Sequence, residues 1–137
     1  MFFNKKEKIE SDSNFIKIAA LLIHAAKIDE NFSQDEEEII KKTLINLGAD
    51  KNKLIILITE AKKSEEDANQ ILDFTKEIKS LSETDKIKII ESLWEIIYSN
   101  KDADIYETNL MRRLSGLLYI DSKTMGDIKK DIIKENS

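Results

Sequence analysis

Two acidic turns hold the residues best suited to chemistry. The first runs Ile28-Asp29-Glu30-Asn31-Phe32-Ser33-Gln34-Asp35-Glu36, and the second Ser99-Asn100-Lys101-Asp102-Ala103-Asp104-Ile105-Tyr106-Glu107. Asp29, Glu36, Asp102, Asp104 and Glu107 supply hard carboxylate oxygens, the donors that Ca²⁺ and Mg²⁺ take. Asp29 and Asn100 stand 71 residues apart, as do Glu36 and Glu107. Lys41-Lys42 and Arg112-Arg113 repeat the same spacing. A fixed separation of this kind marks an internal duplication.

The calcium-loop test fails on both turns. Asp29, Asn31 and Ser33 occupy loop positions one, three and five, and Asn100, Asp102 and Asp104 do the same. Position six, where the sharp turn needs glycine, is Gln34 or Ile105, and position twelve, the bidentate glutamate, is Ile40 or Met111. Neither turn is an EF-hand. A looser oxygen site across the first turn remains open, and so does a purely structural use of the same groups. Ser33 with Glu36 has the spacing of a capping box, and Asp29 and Asn100 can hold loop N–H groups as Asx turns.

Other chemistry finds little support. His24 is the single histidine, and bundle di-metal sites want paired Glu-x-x-His. With no cysteine there are no disulfides and no thiolate ligands or nucleophiles. No Gly-rich phosphate loop occurs and no Ser-His-Asp arrangement is evident, so an enzyme is not expected. No cofactor is required, a divalent cation (Ca²⁺ or Mg²⁺) being the one considered. The net charge of −5 argues against general attraction to nucleic acid.

These turns need rigid elements to hold them. The 137 residues include no proline and three glycines, and 36% are charged, a composition for one all-α domain. Residues 1–12 read as a flexible lead-in and 13–137 as a single domain. The lead-in lacks the long apolar region of a signal peptide, and peripheral membrane contact through Phe2 and Phe3 is the weaker reading against a solvated tail. No stretch has the roughly 18 or more uninterrupted apolar residues of a membrane span. A cytoplasmic protein is expected.

Helical periodicity begins at Phe15, with Ile18, Ala19, Leu22, Ile23 and Ala26 on one face and Ile16, Ala20 and Leu21 on others. A helix apolar nearly all round is central. Ser33 starts a second helix with stripe Ile40, Leu44 and Leu47, stopped by Gly48. Asp50 caps a third with Leu54, Ile55, Leu57, Ile58 and Ala61. Ser64 with Asp67 opens a fourth, whose inner face is Ala68, Ile71, Leu72, Thr75 and Ile78. The polar run 64–67 is the expected seam between halves. Ser82 with Asp85 opens a second central helix around Ile90, Trp94 and Ile97. Asp104 and Glu107 cap a sixth with Leu110, Leu114, Leu117 and Leu118, and a seventh runs from about Ser122 through Met125, Ile128 and Ile132.

The segment Ala26 to Ile40 resembles the A-x-A-D-G-x-apolar-S/D-x-x-E signature of the TerB tellurite-resistance family. Trp94 to Leu118 resembles that family's second copy. The resemblance covers about residues 15–133. It implies an all-α, TerB-like bundle of about seven helices, cytoplasmic, linked to tellurite resistance and stress. Acidic residues matching Asp29, Glu36 and Glu107 are possible metal contacts there. The chain departs from the signature at Glu30 and Lys101, where the family has glycine, and at Asn100, where it has aspartate. The reading that follows is a non-enzymatic interaction or sensor module with its acidic face around residues 29–38. Glu30, Asp35, Glu37, Arg112 and Arg113 are its candidate contacts with a protein partner. A divalent-cation-binding protein is the alternative.

Overall fold

The computed structural model describes residues 12–27, 33–68, 71–99 and 105–135. Its elements are α1 (Asp12–Ala26), α2 (Gln34–Asn46), a 3-10 turn (Lys51–Lys53), α3 (Leu54–Asp67), α4 (Leu72–Ile78), α5 (Glu83–Ser99), α6 (Ile105–Leu117) and α7 (Ser122–Glu135). Among the described residues there is no strand. Among the described residues the chain adopts the expected all-α architecture of seven helices.

α1 lies at the centre. Nine of its fifteen residues are buried, on every side of the helix, because α2, α3, α4 and α5 all pack against it. Ala19, Ala20, Ala25 and Ala26 are among them, and such small side chains allow neighbouring axes to approach closely. Each fully buried Leu or Ile contributes roughly 1.5–3 kcal/mol, and Ile18, Leu21, Leu22 and Ile23 are all in that class. α5 is the second central element. Ile89, Ile90, Leu93, Trp94, Ile96 and Ile97 are buried against α1, α2 and α7.

The duplication is visible in the backbone. α2 ends at Asn46 and α6 at Leu117, 71 residues apart. Both then close in the same Schellman turn. The Ala49 N–H donates to the Leu44 carbonyl at 2.9 Å, and the Ile120 N–H to the Ser115 carbonyl at 2.9 Å. The turn residues are Gly48, with φ +108°, and Tyr119, with φ +59°. An Asp side chain follows each time. Asp50 accepts from the Asn52 N–H at 2.9 Å, and Asp121 from the Thr124 N–H at 2.7 Å. The next helical turn then starts at Lys51 or Ser122. Buried Leu54, Leu57 and Ala61 of α3 match buried Met125, Ile128 and Ile132 of α7 at the same interval. The repeating unit is therefore three helices, α1–α2–α3 and α5–α6–α7, joined by α4.

Three sequence expectations need correction. Ser64 does not open a helix, because α3 runs unbroken to Asp67 and Ala68 turns extended after it. The polar run is the last turn of α3, held by the Glu65 carboxylate against α1, and α4 is a short helix of seven residues. Ile55 is 76% exposed and Leu72 is 43% exposed, so neither belongs to a buried face. Leu54, Leu57, Ile58 and Ala61 already fill the stripe of α3 at helical spacing, leaving Ile55 turned away. Phe74, which the sequence reading passed over, is buried in place of Leu72.

The two repeats meet in polar as well as apolar contacts. The hydroxyls of buried Thr43 of α2 and Ser92 of α5 pair, one donating to the other, and the accepting hydroxyl donates in turn to a carbonyl of its own helix, Ile39 for Thr43 or Lys88 for Ser92. Lys88 Nζ donates to the Asn46 carbonyl at the end of α2. Within the second repeat, buried Lys86 reaches the Leu118 carbonyl at 2.9 Å and satisfies the end of α6. A cation at a helix C-terminus also meets the negative end of its dipole.

Candidate functional site

The first acidic turn delivers the chain into α2 through a complete capping box. Ser33 is extended (φ −82°, ψ 165°), and its hydroxyl accepts from the Glu36 N–H at 3.2 Å. The Ser33 N–H donates to Glu36 Oε1 at 2.7 Å. Glu36 is only 1% exposed. Its carboxylate is thus committed to a backbone donor that would otherwise be an orphan at the helix start.

The other acidic side chains of that first turn divide by partner. Glu37 is half-buried and bridges α2 to α3, with Lys62 at 3.0 Å and Lys41 of its own helix at 3.5 Å. The hydrogen bond from Lys62 holds the Glu37 carboxyl below the usual carboxylate range, against an opposing effect of burial. Glu38 faces solvent and meets Lys41 at 3.7 Å, and Asp35 is exposed. Lys41 therefore pairs along its own helix, and among the described residues it forms no ion pair with the opposite repeat.

Sequence reasoning missed a polar cluster on the other side of this turn. Glu65 of α3 takes the Lys27 ammonium at 2.7 Å and His24 Nδ1 at 3.3 Å, so the end of α1 is pinned to α3. The Glu65 hydrogen bond raises the Lys27 pKa. No local signal announces this contact, because its partners are 38 and 41 residues apart in sequence.

Of the predicted site residues, Asp29, Glu30, Asp102 and Asp104 lie outside the described residues. Glu107 falls in α6, where the backbone alone is described. Glu36, Asp35 and Glu37 are placed together on the first turn of α2. Arg112 and Arg113 are exposed on α6, and neither forms an ion pair among the described residues. Among the described residues no group of three or more His, Cys, Asp or Glu side chains is gathered as metal ligands would be.

The family model for tellurite resistance protein TerB matches residues 15–130, from the start of the α1 stripe to the middle of α7. The chain belongs to the TerB family. Both acidic turns and most of both repeats of this TerB domain fall inside the matched span. Neither a curated protein nor a solved structure matches the chain. Among the described residues of the TerB domain, no helix is long and apolar enough to cross a membrane.

Proposed function

We propose that this TerB protein is a non-catalytic, cytoplasmic interaction or sensor module in stress and tellurite resistance, and that it offers a protein partner the acidic face that opens α2. The observation that carries this reading is the division of labour within the capping turn. Glu36 is spent on the Ser33 N–H, while Asp35 and Glu38 on the same turn stay in solvent. Exposed like charges beside a rigid helix start steer a basic partner and set its orientation. Glu30 extends this face in sequence, and Glu37 contributes through its bridge to Lys62. Arg112 and Arg113 are the matching basic contacts on α6. Asp29, Asp102, Asp104 and Glu107 act with Asn100 as turn-forming and capping groups in this reading.

Charge reversal tests it. Asp35→Lys with Glu38→Lys leaves the capping box and the core untouched, so the variant should stay folded and lose no more than about 1–2 kcal/mol, from the helix dipole and the Glu38–Lys41 contact. It should fail to capture the partner that tagged wild type crosslinks in stressed cells, whereas Lys41→Ala should capture it normally. Equal capture by the reversed variant would remove the acidic face from the function.

A further inference from the structure

A cleft of about 210 Å³ opens where α5, α6 and α7 meet. Its walls include the Trp94 indole, Met111 and Met125, with Arg112, Lys129 and Ser115 among the polar groups. Among the described residues no Asp or Glu lines it, in a chain with 27 acidic residues. Lys129 Nζ lies 5.3 Å from the centre of the Trp94 ring. Among the described residues neither Lys129 nor Arg112 has a carboxylate partner. The Trp94 Nε1–H is buried, and it is the only such buried side-chain nitrogen or oxygen among the described residues that lacks a hydrogen-bond partner.

These features belong together chemically. An apolar wall of two methionines and an indole takes a hydrocarbon body, since thioethers adapt to irregular shapes and pack well on aromatic rings. Two cations without counter-ions at the same cleft take a carboxylate head, and Arg offers a planar fork for it. The volume lies below the ~300–1,000 Å³ of drug-sized pockets, so the ligand is small. We propose that this cleft binds a small amphipathic organic anion of the medium-chain carboxylate class, its head on Arg112 and Lys129 and its chain against Met111, Met125 and Trp94. The site lies on the second repeat and uses none of the acidic residues that open α2, sharing only Arg112 with the partner contacts proposed above. Its counterpart in the first repeat is built differently, because Trp94, Met111 and Arg112 correspond at 71 residues to Ile23, Ile40 and Lys41.

The single tryptophan of the chain makes the test local. Full-length protein is titrated with octanoate below its micelle concentration, and the Trp94 fluorescence and the one indole ¹H–¹⁵N resonance are followed. Octan-1-ol and inorganic phosphate serve as the body without the charge and the charge without the body. Octanoate should give a saturable change at both readouts that neither control reproduces. Arg112→Gln, at an exposed position, should weaken binding about tenfold or more, the value of one charge-assisted hydrogen bond, with Lys129→Gln weakening it in the same sense and both variants melting like wild type. No saturable change with octanoate would overturn the proposal. So would equal binding of octan-1-ol, or affinity unchanged in both variants.

Discussion

At the level of single residues, the acidic turn separates carboxylates that do structural work from those that meet solvent. Glu36 was legible beforehand because a capping box is a contact between residues three apart, which spacing alone predicts. Glu65 was not, because its partners Lys27 and His24 come from another helix. Glu37 is intermediate, with one partner a turn away and one on α3. Its carboxyl is held below the ordinary value, so it binds a proton less readily folded than unfolded. The stability this confers is present above the unfolded carboxylate pKa and is lost as pH falls through the lowered folded one. Glu37→Gln should therefore cost under about 1 kcal/mol at neutral pH, as a partly exposed ion pair does. The gap from wild type should close on acidification below about pH 4, the ordinary range for a carboxyl. Urea midpoints at the two pH values check this, and a gap that widens in acid would contradict it.

Among the elements, the two central helices and the helix ends carry the fold. Trp94 sits in α5 with 4% of its surface exposed and stacks on Tyr98 at 5.9 Å between ring centres. Trp94→Ala should cost about 3–5 kcal/mol by leaving a cavity. Melting like wild type would show that α5 is not central. The end of α2 gives a cleaner backbone test. Gly48 holds φ +108°, and a Cβ there would meet nothing within 4 Å. Gly48→Ala should thus cost about 1–2 kcal/mol through the positive φ alone. Chemical denaturation measures it, and an unchanged midpoint would show that the turn relaxes freely. Helix order and most buried stripes were readable, since apolar spacing encodes them directly. The border of α3 and α4 was not, because Ser64 to Asp67 looks like a helix start and in fact completes a helix whose polar end has a distant anchor.

For the molecule as a whole, the 71-residue interval was readable from the acidic turns and the basic pairs. Its full extent, three helices per unit with matched Schellman turns, appears only in the backbone. The cleft beside Trp94 was also hidden, because it draws residues from α5, α6 and α7 and no one of those helices contains its pattern. The start of α2 is closed by its own backbone donor, the Ser33 N–H on Glu36, and presents the spare charge of Asp35 and Glu38 outward. A ligand that binds only the folded state raises its melting temperature. The decisive measurement is therefore thermal melting of wild type with Ca²⁺, Mg²⁺, Mn²⁺ or Zn²⁺ against chelator. Curves that coincide within about 1 °C are expected, and a rise of about 5 °C or more, the equivalent of roughly 1–2 kcal/mol, that disappears in Asp29→Ala would contradict the account and establish a cation site instead.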